Sequence, residues 1–137
     1  MARRNSLQAK IENRIAQGRE PVFLTREFSD LGDERQVLRA LAKTVAAGKL
    51  IRLGYGIYGR AERSRLTGQP ILAADQGFVG AARAALNKLG VVWEPSQWEQ
   101  DYNAGRSTQI PVNAAVRIKG RFCRHLAYRG NPLVLER

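Results

Sequence analysis

Apolar residues recur along the first half of the chain at helical spacing and then at strand spacing. Leu7, Ile11 and Ile15 stand four residues apart and form one stripe of a helix. Asn5 is placed to cap it with Gln8 reaching back, and Gly18 and Pro21 end it. Val22-Phe23-Leu24 is a short run of strand type. Thr25 then caps a second helix, barely two turns long, with Phe28 and Leu31 on its apolar face and Gly32 as its stop. A third helix starts at Asp33, with Gln36 in the reciprocal capping position and an apolar face of Val37, Leu38, Leu41 and Val45. Gly48 ends it. Leu50 to Leu53 reads as a strand and Ile57-Tyr58 as its return. Between them Gly54-Tyr55-Gly56 makes a tight turn in which two glycines allow positive φ around an exposed tyrosine.

The second half is patterned differently. Residues 61–74 mix charge with Gly68 and Pro70, as a connector does. Asp75 is placed to cap a helix reaching Leu89, with Phe78, Val79, Ala82, Leu86 and Leu89 facing inward. Val91-Val92-Trp93 reads as a strand, and Pro95 and Ser96 start a short helix carrying Trp98 and ending at 103–105. From Pro111 the pattern turns to β: Val112 to Ile118, Phe122 to Tyr128 and Leu133 to Leu135, separated by turns. The expected fold class is therefore α+β, in three parts. Residues 1–60 form a winged helix-turn-helix, 61–74 connect, and 75–137 form a small α+β module built on a three-stranded β-meander.

Charge sharpens this pattern into a function. The chain carries 23 Lys+Arg against 12 Asp+Glu, a net charge of +11, with a net of +7 in residues 1–66 and +4 in the remainder. Such a field attracts polyanions, and nucleic acid is the commonest partner of a basic globular domain. On the third helix Arg35, Arg39 and Lys43 recur at four-residue steps opposite the apolar face, with Gln36 beside them. Like charges at that spacing weaken a helix by a few tenths of a kcal/mol per pair, so the stripe makes better sense with DNA across it than bare. A short helix, a tight turn, a longer basic helix and a two-stranded ribbon, in that order, are the parts of a winged helix-turn-helix. Arg35, Gln36 and Arg39 are the candidate base readers, since arginine bridges guanine O6 and N7 and glutamine pairs with adenine. Arg26, Lys43, Lys49, Arg52, Tyr55 and Arg60 are the candidate backbone contacts. Arg117, Lys119, Arg121 and Arg124, with Arg129, cluster on the expected meander and either extend the DNA footprint or keep an exposed sheet edge soluble.

The run Phe28-Ser-Asp-Leu-Gly32, the segment Val37-Leu-Arg-Ala-Leu41, and Gly48-Lys-Leu-Ile-Arg-Leu53 followed by Gly56-Ile-Tyr58 resemble the winged-helix domain of AbiEi-type antitoxins and related short regulators. Ser107-Thr-Gln-Ile-Pro-Val112 resembles a segment found downstream in the short members. The resemblance implies a DNA-binding repressor, often of its own operon, sometimes encoded beside a nucleotidyltransferase-like toxin. It places Arg35, Gln36 and Arg39 on the family's recognition helix and Arg52 and Tyr55 on its wing, with Gly56 and Tyr58 serving the wing's fold. Full-length members attribute antitoxic activity to a larger C-terminal domain than 137 residues can hold. DNA binding thus carries over more directly than antitoxin activity does.

Other chemistries find little purchase. The longest apolar runs are far short of the ~20 residues that span a bilayer, and the single cysteine, Cys123, allows no internal disulfide, so a cytoplasmic protein with no membrane partner is expected. Cys123 and His125 are the lone Cys and His, too few for a structural zinc site and without a third group to orient them for catalysis. Gly56-Ile-Tyr58 has the first tripeptide of the GIY-YIG nucleases, but no matching second motif follows, and there is no P-loop. A non-enzymatic, cofactor-free regulator is expected, with double-stranded DNA as partner, a homodimer to pair half-sites, and a cognate toxin if the resemblance extends that far. The alternatives are a winged helix that binds an acidic protein, and a sequence-tolerant nucleic-acid accessory factor.

Overall fold

The computed structural model describes residues 6–74, 77–105, 115–120 and 125–136. Helix α1 (Leu7–Gln17) is capped by Ser6 rather than at position 5: the Ser6 hydroxyl accepts from the Ala9 N–H at 3.1 Å. Strand β1 (Val22–Leu24) follows. The expected second helix shrinks to a single 3-10 turn, Thr25–Phe28. Thr25 does not cap it; instead the Leu24 N–H donates to the Glu27 carboxylate at 2.7 Å, and the Thr25 N–H donates to the Gly56 carbonyl at 3.0 Å. The Thr25 N–H, which a helix beginning there would leave without an intrahelical partner, ties the start of the turn to the ribbon instead.

Helix α2 (Glu34–Ala46) begins as its sequence dictates. The Asp33 carboxylate accepts from the Gln36 N–H at 2.8 Å, and the Gln36 side-chain oxygen accepts from the Asp33 N–H at 3.3 Å. Such a cap contributes about 1 kcal/mol. Its buried face is Val37, Ala40, Leu41 and Thr44, with Leu38 and Val45 half-buried, so the inward stripe is rotated slightly from the expected one. Thr44 is tolerated inside because its hydroxyl donates to the Ala40 carbonyl at 2.8 Å.

Strands β2 (Leu50–Gly54) and β3 (Ile57–Arg63) form an antiparallel hairpin with a register irregularity between Arg52 and Gly54. β1 adds to the other edge of β3, with Phe23 opposite Tyr58. The segment expected as a connector instead carries the end of β3 and a further strand, β4 (Pro70–Leu72), which pairs Ala61 with Leu72 and Arg63 with Pro70. The two ribbon glycines differ in role. Gly56 has φ +69°, as a tight turn requires, whereas a Cβ on Gly54 would sit 2.5 Å from the His125 carbonyl oxygen. Gly54 is needed for close approach rather than for its backbone angle.

Alternation along β1 divides the interior. Phe23 joins Ile11, Ile15, Phe28, Val37, Leu41, Leu50 and Tyr58 in a core against α1 and α2. Val22 and Leu24 point the other way, into a second core with Leu53, Ile57, Leu72 and the alanine face of helix α3 (Gly77–Lys88). That core continues into Val116, Ile118, Leu126 and Leu133, so both halves of the chain share it. Small residues at 81, 82 and 85 let α3 lie close to the sheet.

The remaining elements are β5 (Trp93–Pro95), α4 (Gln97–Asn103), β6 (Ala115–Ile118), β7 (Ala127–Tyr128), β8 (Asn131–Pro132) and β9 (Val134–Glu136). The Ser96 hydroxyl caps α4 by accepting from the Glu99 N–H. Among the described residues the strand pairing differs from the expected meander. β6 pairs antiparallel with β5 and parallel with β9, and β7 pairs with β8. Arg129 and Gly130, both at positive φ, turn β7 back onto β8, and β9 lies parallel beside β6. The fold is α+β. No helix among the described residues is long and apolar enough to cross a membrane.

Candidate nucleic-acid interface

The outward face of α2 carries Arg35, Arg39 and Lys43, all exposed, interleaved with exposed Ala42 and Ala46. None of the three cations makes an ion pair or hydrogen bond among the described residues, in contrast to the cations that hold the fold together. Arg14 forks onto Asp30 at 2.8 and 2.9 Å and reaches the Glu27 carbonyl. Lys88 pairs with Glu27 at 2.7 Å and with Glu20, pinning the end of α3 to β1 and the 3-10 turn. Arg83 pairs with Glu99 and lies over the Trp93 ring at 4.7 Å. The α2 stripe is free to meet an external anion, and its alanines leave room for close approach.

The third expected reader, Gln36, is exposed, but its side-chain oxygen is held in the helix cap, leaving its amide nitrogen as the available donor. Repulsion within the stripe costs a few tenths of a kcal/mol per pair, less than the cap at Asp33 returns. The helix therefore tolerates an unneutralised face.

The expected backbone contacts separate into free and engaged groups. Tyr55 stands 71% exposed at the ribbon tip, and Arg52 beside it is exposed with only a 3.4 Å contact to the Gly54 carbonyl. Lys49 is exposed and pairs loosely with Glu12 at 3.6 Å. Arg26 is exposed, but its guanidinium donates to the Lys88 carbonyl at 2.5 Å and so caps the end of α3. Arg60 is turned inward. It donates to the Ile15 carbonyl at 2.6 Å and the Glu20 carbonyl at 2.9 Å, lies 5.2 Å from the centre of the Phe23 ring, and buries Nη2. These contacts close the end of α1, so Arg60 is already engaged within the fold, unlike the cations of the α2 stripe.

An open cleft of about 530 Å³ separates the ribbon tip from the start of α2, lined by Thr25, Asp33, Glu34, Leu38 and Tyr55 among others. Its lining carries two carboxylates and one guanidinium, Arg26, so its charge is mixed, unlike the stripe of Arg35, Arg39 and Lys43. In the second half Arg117 is engaged with Glu94 at 3.7 Å and with the Gln97 side chain at 3.2 Å, while Lys119 is exposed at a turn. Arg121, Arg124, Cys123 and the side chain of Trp98 lie outside the described residues. Among the described residues no group of three or more His, Cys, Asp or Glu is arranged to hold a metal ion. Sequence reasoning passed over Arg63 and Arg65, exposed on the β3–β4 hairpin; the alternation of Arg60-Ala-Glu-Arg63 into an apolar Ile71-Leu72 was the available signal for a strand pair there. Comparison of the chain with family models, with curated proteins and with solved structures finds no match.

Proposed function

We infer that this protein is a sequence-specific DNA-binding regulator whose first half acts as a winged helix-turn-helix. The observation that carries the reading is the Arg35–Arg39–Lys43 stripe, exposed and without a partner among the described residues, on a capped helix; exposed Arg52 and Tyr55 near the tip of the β2–β3 ribbon add to it. α2 is the recognition helix, with Arg35 and Arg39 reading base edges in the major groove. Lys43, Lys49 and Arg52 hold phosphates and set the register. The 3-10 turn and the residues that follow it take the place of the first helix of the motif, shortened but still turning the chain into α2. Ala42 and Ala46 add methyl contacts suited to thymine.

Repression of its own operon, and antitoxin activity toward a neighbouring toxin, are finer proposals that rest on the sequence resemblance. Dimerisation to pair half-sites is likewise proposed. Footprinting on the DNA upstream of the protein's own gene tests autoregulation, with protection at physiological salt as the expected result. Absence of protection there, with no preference over competitor DNA, removes the regulatory reading. An acidic protein partner gains favour instead if the chain binds no duplex at all.

A further inference from the structure

The cleft beside the start of α2 is left without a role by the DNA contacts proposed above. Four segments line it: the 3-10 turn with Ser29, the first turn of α2, the ribbon tip at Tyr55 and Gly56, and Leu89 just after α3. Its volume, about 530 Å³, falls within the range of roughly 300–1,000 Å³ over which clefts take small molecules. Leu38 and Leu89 are half-buried in its lining, and the exposed Tyr55 adds an aromatic ring. Apolar surface left wet in this way gains from being covered by an apolar body.

Three ionic side chains line the cleft, and two of them are committed within the fold. The Arg26 guanidinium donates to the Lys88 carbonyl at 2.5 Å, and the Asp33 carboxylate accepts from the Gln36 N–H at 2.8 Å. Glu34 is exposed, and its carboxylate has no ion pair or hydrogen bond among the described residues. Two carboxylates against one guanidinium leave the lining with an excess of negative charge, and the uncommitted group is the one that carries it. The Asp33 carboxylate also fills the cap of α2, where a ligand anion would otherwise sit. The lining thus favours a cation over an anion.

We propose that this cleft binds a small organic cation, an ammonium group on an aromatic or branched apolar body, and that its occupation strengthens DNA binding. The ammonium pairs with Glu34, and the body covers Leu38 and Leu89 beside the Tyr55 ring. Glu34 directly precedes Arg35, so its carboxylate opposes phosphate next to the first residue of the stripe. A bound ammonium offsets that charge. It also joins the ribbon tip to the start of α2, ordering two DNA-contacting elements before the duplex arrives. By linkage, bound DNA tightens the hold on the ligand by the same factor. The ligand site stands on the cleft itself, and its regulatory effect rests on the DNA-binding reading above.

The test titrates phenethylamine into the full chain and follows the amide NMR signals of Gly32, Glu34 and Gly56. Phenethyl alcohol and phenylpropionate serve as its neutral and anionic counterparts. Saturable shifts at all three positions are expected with the amine, and binding at least about tenfold weaker with the alcohol and the acid. Glu34→Gln should weaken the amine about tenfold and leave the alcohol unchanged. Ser29→Phe, at an exposed position of the lining, should block both. In saturating amine, a duplex recovered by selection from random sequence should bind about fivefold more tightly or better, an effect absent in Glu34→Gln. No saturable shift at these positions, equal binding of amine and acid, or amine binding undiminished in Ser29→Phe overturns the site. An amine that binds yet leaves duplex affinity unchanged overturns its regulatory effect. If the amine binds while the chain distinguishes no duplex from another, the site holds and the DNA reading fails.

Discussion

Replacing Arg60 with alanine separates a structural cation from a DNA-binding one. The side chain donates to two main-chain carbonyls, Ile15 at 2.6 Å and Glu20 at 2.9 Å, and lies over the Phe23 ring. Hydrogen bonds from a charged donor contribute about 1.5–3 kcal/mol each when buried. Glu20 is exposed, so water takes over much of that bond, whereas the Ile15 carbonyl belongs to a largely buried residue near the end of α1. The cation–π contact adds about 0.5–1 kcal/mol at such a half-exposed site. The sum is a loss of roughly 2–4 kcal/mol, a large share of the stability of an ordinary domain. Urea unfolding followed by circular dichroism should show a lower midpoint with an unchanged slope. DNA binding measured well below the transition, across a salt series, should keep its salt slope. Wild-type stability together with a salt slope reduced by about 0.9 would refute the reasoning and restore Arg60 as a phosphate contact.

Other substitutions and conditions probe different links of the account. Gly54→Ala should destabilise by about 1–3 kcal/mol, read as a lowered thermal midpoint, because its Cβ meets a backbone oxygen, His125, that no rotamer change can move aside. Gly56→Ala should also be unfavourable, but through its positive φ, and an asparagine there should restore part of the loss where alanine does not. The Arg14 guanidinium hydrogen-bonded to Asp30 holds that carboxyl below its ordinary range. Its stabilising effect is therefore complete above the unfolded carboxylate's pKa and is lost as pH falls through the lower, folded one. Asp30→Asn should flatten the acid limb of a stability-versus-pH curve; an identical limb in the variant would exclude Asp30 as a contributor.

Much of the first half was legible because local chemistry and tertiary packing agree there. Asp33 and Gln36 cap a helix in sequence and in space, and the Leu7–Ile11–Ile15 stripe is buried as its spacing demands. The stripe of Arg35, Arg39 and Lys43 was likewise visible, since a helix period fixes which residues share a face. Where the reading slipped, long-range contacts had decided the outcome. Thr25 looks like a cap, yet the Gly56 carbonyl across the sheet accepts from its N–H, the Glu27 carboxylate takes the Leu24 N–H, and only one 3-10 turn forms. Arg60 and Arg26 also meet helix ends many residues away, contacts that no local pattern announces. The strand order of the second half was less legible for a related reason. Short strands of alternating residues specify faces but not neighbours, and β9 lies beside β6 where the middle strand was expected. Residues 61–74 read as a connector because β4 is only three residues long and starts with proline.

The central claim is that the exposed face of α2 reads DNA sequence, and competition binding tests it most directly. The chain is titrated at physiological salt against a selected duplex and against the same composition scrambled, alongside Arg39→Ala and Lys49→Ala. A preference of about 10³-fold or more for the selected duplex is predicted. Arg39→Ala should erase about 1–3 kcal/mol of that preference, and Lys49→Ala should weaken both duplexes alike. Equal affinity for both duplexes, or an Arg39→Ala variant that behaves like Lys49→Ala, would contradict it.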